Sequence, residues 1–181
     1  MNKLVHFNNS ITQLLNTAAP WVGLLLLRML IGWEFLEAGL EKLNGENWFG
    51  HIQDNFPFPF NIVPVEVSWF LATWFEVIGG AALIIGALTR FFSFSLIILT
   101  IVAALAVHMP EQWSTLSELA KGYAISDKGH GNFKLPLLFL VMLIPLVFYG
   151  GGKLSLDTLI TKLTGLGGQK GGEKPKQTDD H

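Results

Sequence analysis

Cysteine does not occur among the 181 residues. Its absence removes disulfides, thiolate metal sites and self-contained thiol redox chemistry, so any electron-transfer role needs a bound cofactor or a partner. Charge is scarce as well: 14% of residues are Asp, Glu, Lys or Arg, against about 25% in a soluble domain. A net charge of −2 gives no basic surface on which to expect nucleic acid. No phosphate-cradling glycine loop, HExxH or GxSxG is present, and no Ser/His/Asp triad can be argued. No secretory signal is evident, because the apolar run after the mixed N-terminal segment is too long for an h-region.

Apolar residues are what the chain has instead: they make up 50% of it, and the mean hydropathy is +0.44. They gather in four stretches, at 18–43, 65–88, 91–108 and 135–149, each near the ~20 residues needed to cross hydrocarbon. The fourth is short and interrupted by Pro136 and Pro145. The fold class expected is an all-α membrane protein, a four-transmembrane-helix bundle with short amphipathic interfacial helices. Residues 1–17 form the first of these, with Leu4, Phe7, Ile11, Leu14 and Leu15 at helical spacing. The bundle occupies 18–150, and 151–164 is a second surface helix, N-capped at Ser155. The Gly/Lys/Asp-rich tail, 165–181, has nothing to bury and is expected to be disordered. A further short helix is expected over 111–121, followed by a mobile Gly-rich segment to Lys134.

Basic residues set the expected topology. With four spans, Lys3, Arg90, Lys153, Lys162 and the tail lysines share one side, and Lys42, Lys121, Lys128 and Lys134 the other. The positive-inside rule then puts both termini in the cytoplasm of a multi-pass protein of the bacterial inner membrane. The loops at about 44–64 and 109–134 face outward. Alternating Phe and Pro over 56–60 cannot be helical, and these aromatics suit a cap at the membrane surface.

Ionisable residues inside the apolar stretches carry most of the functional signal, since each costs a few kcal/mol or more in hydrocarbon unless it finds a partner. On a helical wheel Arg28, Gly32, Phe35, Gly39 and Lys42 fall on one face of the first stretch, while Glu34, Glu37 and Glu41 lie opposite. In the second stretch Glu76, Gly80, Leu83 and Ala87 share a stripe. Depth estimates place Arg28 roughly 10 Å and Glu76 roughly 16 Å from opposite membrane faces, which predicts a buried Arg28–Glu76 pair. Such a pair equally serves only to lock two helices in register. Glu34, Glu37 and Glu41 repel one another, so Lys42, Lys134, a bound cation or protonation of Glu34 must offset them. With His51, His108, Glu111 and His130 they form an outer polar face. Carboxylates with imidazoles suit Zn(II), Cu(II) or Fe. No spacing matches a metal signature, so no metal is assigned, and Glu37 and His108 stand only as weak candidates. The blander reading is that Glu37 and Glu41 reach water and His108 caps its span.

With these residues laid out, the chain resembles the DoxX family of small four-span membrane proteins. The likeness runs through Arg28-x3-Gly32-x2-Phe35-x3-Gly39-x2-Lys42-Leu43, then Glu76-x2-Gly79-Gly80-x2-Leu83-x2-Gly86-x2-Thr89-Arg90. It continues through Leu135-Pro136-Leu137-Leu138 to Gly150-x-Gly152-x2-Ser155-Leu156-Asp157. Within the family, 45–49, 56–60 and 106–110 are similar to the HvfX-like, bufferin-associated subgroup that accompanies copper-binding modified peptides. The resemblance implies an inner-membrane accessory protein serving such a peptide or a redox partner, with quinone or copper as the cofactor concerned. Two alternatives stay open. One is a quinone-linked oxidoreductase subunit using Glu34 or Glu76 as proton acceptor, which would make the chain part of a membrane enzyme. The other is a small-solute or ion transporter. The partners expected are the lipid bilayer and a membrane or peptide partner, and the glycine-lined faces permit an oligomer.

Overall fold

The structure is a computed structural model that describes residues 2–110 and 112–165, with the side chains of 2–5 and Pro20 left aside. Glu111 and the tail beyond Gly165, with its expected disorder, lie outside the described residues. All regular structure among them is helical. The elements are α1 (Asn2–Asn44), α2 (Val65–Ile85), α3 (Thr89–Ala103) running into a π-helical turn (Ala104–His108), α4 (Leu116–Lys121), α5 (Lys134–Tyr149) and α6 (Leu156–Thr164). Three short 3-10 turns, Phe49–His51, Gln53–Asn55 and Phe60–Ile62, lie in the loop between α1 and α2.

Two expectations about boundaries give way. The N-terminal amphipathic segment is not a separate element but the first arm of α1, meeting the second at a 49° bend between Ala19 and Trp21. The residue between the two arms in the sequence is a proline, which lacks the backbone donor a helix interior needs. The fourth stretch is not broken either. Pro136 falls in the first turn of α5, where no N–H is required, and the helix continues through Pro145.

α2 and the α3 segment through His108 are each long and apolar enough to cross a membrane, and the bent α1 adds a third span if its two arms are taken as one. At ~1.5 Å per residue, the sixteen residues of α5 reach about 24 Å, short of the ~30 Å hydrocarbon core. The surface is apolar where these helices face outward, through Trp33, Phe70, Ile78, Phe94, Ile101 and Val141.

α1 and α2 make the most extensive contact, and α3 packs chiefly on α5. The α1–α2 seam is a backbone contact. A Cβ on Gly32 would lie 2.9 Å from the Gly80 carbonyl oxygen, and one on Gly39 would lie 2.7 Å from the Val77 nitrogen. Glycine is what lets the two axes come this close, the device membrane helices use when hydrophobicity cannot drive them together. Ile31 and Phe35 of α1, Leu83 of α2, Leu96 of α3, and Leu143 and Leu146 of α5 form the central core. A second cluster, Phe49, Phe56 and Ala106 with Trp69 beside them, joins the α1–α2 loop to α2 and the π-helical turn.

Candidate functional site

The seam fixes which charges can meet. Gly32 abuts Gly80 and Ile84, Gly39 abuts Glu76 and Val77, and Arg28 reaches Gly86. Glu76 is therefore level with position 39, eleven residues from Arg28, or roughly 16 Å along the helix. The expected Arg28–Glu76 pair does not form. Both side chains are buried, at 1% and 4% exposure, but each has a different partner.

Glu76 takes Lys42: Nζ donates to Oε2 at 2.7 Å, the only ion pair among the described residues. Side chains on a helix lean toward its N-terminus. In this antiparallel pair, Lys42 leans back toward Gly39 and Glu76 leans outward toward Lys42. The lysine is 18% exposed, so the pair lies just inside the outer end of the bundle. Toward the N-terminus of α2 along the same face come Thr73, whose hydroxyl has no partner among the described residues, and Trp69. Trp69 meets Phe49 edge-on at 5.0 Å, and Phe49 meets Phe56 at 5.3 Å. Phe56 of the Phe/Pro run is thus buried in this cluster, whereas Phe58 is exposed.

Arg28 serves the opposite end. Its Nη2 donates to the Leu154 carbonyl at 2.5 Å. Nε and Nη1 have no acceptor among the described residues, while the Asp157 carboxylate supplies opposing charge nearby. Asp157 also accepts from the backbone N–H of Leu88 at 2.7 Å and of Thr89 at 2.9 Å, capping the start of α3 from another element. Its own N–H returns to the Gly86 carbonyl at 2.9 Å. Gly86 ends α2 with φ 73°, its N–H on Leu83 and the N–H of Ala87 on Ala82. That Schellman closure leaves no room for a Cβ, because the Arg28 guanidinium occupies the space. Arg28, Gly86, Thr89 and Asp157, spread over 130 residues of sequence, form one latch.

The outer polar face is dispersed. Glu34 is half-buried, and Glu37 and Glu41 lie exposed beside Trp33, Leu40 and Asn44 on the outward side of α1. None has a hydrogen-bond or ion-pair partner among the described residues, and Lys42, one of the candidates for offsetting them, pairs with Glu76. His51 is exposed on its 3-10 turn, and Glu111 is outside the described residues. His108 Nδ1 lies 2.8 Å from Asn132 Oδ1. His130 gives its N–H to Asp127, whose Oδ1 also accepts from Gly129 and Gly131. These hydrogen bonds, with that from Asn132 N–H to the His108 carbonyl at 2.9 Å, hold in place a segment expected to be mobile. They also pull the Asp127 carboxyl below the usual range, with the Gly129 N–H the largest cause. The loop helix is shorter than expected: Thr115 caps α4, and Glu118 closes back on the Ser114 N–H at 2.8 Å.

No three His, Asp or Glu residues among those described could share a metal ion. Glu37 and His108 belong to no such group among the described residues. One large groove lies at the α1/α3/α6 end, with Arg90, Lys153 and Lys162 around it. Its three cations suit an anion better than a neutral quinone headgroup.

Lys42 and Asp157 are the residues that sequence reasoning missed. Lys42 shared a wheel face with Gly39 and Arg28, which was the available signal. Asp157, two residues after the Ser155 cap, carries no local signal of its role, because its partners lie about 70 residues away.

An all-helical bundle with buried charges, an apolar exterior and span-length helices is a multi-pass membrane protein that sits in a lipid bilayer. The DoxX sequence profile matches residues 23–109. An uncharacterized protein of Haemophilus influenzae is 48% identical over 142 residues, covering 78% of this chain and 85% of the relative. The chain belongs to the DoxX family. No solved structure matches it.

Proposed function

We propose that this DoxX protein is an inner-membrane accessory subunit that supports the maturation or handling of a copper-binding modified peptide, or of a redox partner. With α5 as a short fourth span, both termini lie on one side of the membrane, and the bias of Lys and Arg toward that side supports the cytoplasm. Copper in this reading is the peptide's cargo. The observation that carries it is the division of labour among the charges. Lys42, Glu76, Arg28 and Asp157 are all engaged in holding helices together, whereas Glu34, Glu37 and Glu41 have no partner among the described residues, and Glu37 and Glu41 lie on the outward side of α1. Carboxylates at that depth face a cost that a basic or hydrogen-bonding partner helix or peptide removes.

The test is Glu37→Gln/Glu41→Gln in the native host. Yield and melting temperature should match those of the parent, because neither side chain has an internal partner, while copper tolerance and output of the modified peptide should fall. Unchanged peptide output would refute the reading. Quinone reduction by the purified protein alone would replace it with an enzymatic one.

A further inference from the structure

The groove between the first turns of the α1 span, the α2–α3 turn and α6 takes no part in the function proposed above. It measures about 1080 Å³ and is open on one side. Its two halves differ in chemistry. Arg90, Lys153 and Lys162 are the basic residues lining it, with the hydroxyl-bearing Thr158 and Thr161 alongside. Asp157 is the one acid among them, and both of its carboxylate oxygens are already engaged by the Leu88 and Thr89 N–H groups. The local field is therefore positive. Arg90 uses Nη2 on the Phe148 carbonyl at 3.1 Å, and its remaining N–H groups have no acceptor among the described residues. The apolar half of the lining comprises Ala19, Gly23, Leu24, Leu27, Leu88 and Phe91.

Position in the membrane favours one kind of anion. Trp21, with Lys153 Nζ 5.2 Å over its ring, and the exposed Tyr149 lie at this level, and such aromatics settle where headgroups meet hydrocarbon. α6 presents Leu159, Ile160 and Leu163 outward, as a helix lying flat on a membrane does. The cations are thus at headgroup depth and the apolar half of the groove at acyl depth. Gly23 leaves that half open: a Cβ there would meet nothing within 4 Å.

We infer that this groove binds an anionic phospholipid, its phosphate held by Arg90, Lys153 and Lys162 and one acyl chain lying along Gly23, Leu24 and Leu27. A soluble phosphate would use only the basic half and a neutral amphiphile only the apolar half. Basic pockets between helix ends are suited to this class of ligand.

The test uses the full chain in nanodiscs of phosphatidylcholine alone or with phosphatidylglycerol, read by thermal unfolding and by mass spectrometry of co-purified lipid. The wild type should retain phosphatidylglycerol preferentially and melt higher when it is present. Lys153→Gln/Lys162→Gln alters two exposed side chains and should lower the retention ratio by about 30-fold, at roughly one headgroup contact per lysine. Gly23→Leu should fold as well as the parent in phosphatidylcholine, since leucine favours helix and has room, yet lose the phosphatidylglycerol increment. An unchanged retention ratio in the lysine variant would overturn the site. So would an equal increment from inorganic phosphate, from a water-soluble quinone analogue or from phosphatidylcholine itself.

Discussion

Lys42 and Glu76 show how a buried charge is tolerated at residue scale. Each is costly in the bundle alone, and each is acceptable at 2.7 Å from the other. Lys42→Ala or Glu76→Ala strands one charge and should cost about 3–5 kcal/mol, read as a large drop in melting temperature in detergent. Lys42→Met/Glu76→Leu together should recover most of that loss, because desolvation is removed along with attraction. Singles no worse than the double would mean that the pair is not isolated from solvent. Gly86 is constrained twice, by φ 73° and by the guanidinium beside it. Gly86→Ala should lose at least about 1–2 kcal/mol from backbone conformation alone, and Arg28→Ala in the same background should relieve only the steric part. A Gly86→Ala protein that melts like the parent would remove Arg28 from this position.

At the scale of elements, two aspartates order backbone: Asp157 joins α6 to the start of α3 across 68 residues, and Asp127 closes its own loop. Asp157→Ala removes both acceptors at the start of α3 and should cost about 1–2 kcal/mol, the size of a lost helix cap. Hydrogen exchange should quicken at residues 88–90 while residues 74–83 stay protected, and a uniform change across both would argue against a local cap. Asp127 makes the outer loop sensitive to acid. Its folded pKa is depressed by the Gly129, Gly131 and His130 N–H groups. The order it confers is therefore complete above the unfolded Asp value, near ~3.9, and is lost as pH falls through the lower folded value. Amide exchange at Gly129 and Gly131 should accelerate across that window, and Asp127→Ala should abolish the pH dependence.

For the whole molecule, the polarity is inverted relative to a soluble protein: Arg28 and Glu76 are buried while Phe94, Val141 and Phe148 are exposed. That inversion is what a bilayer requires, because lipid contributes no hydrogen bonds. The absence of cysteine makes the proposed topology directly measurable. Asn61→Cys and Ser126→Cys should react with a membrane-impermeant thiol reagent applied from outside to intact cells. Thr161→Cys should react only after the membrane is opened. Labelling of Thr161→Cys in intact cells would reverse the orientation.

The all-helical membrane character was determined by composition and hydropathy alone, because burying a long apolar run is a property of the run itself. The glycine faces and the isolated ionisable residues were legible for the same reason, as was the Ser155 helix start. Which charge meets which was decided only by the tertiary structure. Helical wheels give a residue's direction around its own axis, whereas pairing depends on the axial register of two helices, and the contacts of Gly32 and Gly39 set that register. The same holds for Asp157 on Thr89: a hydrogen bond between positions 68 residues apart has no local signature and exists only once the bundle has closed.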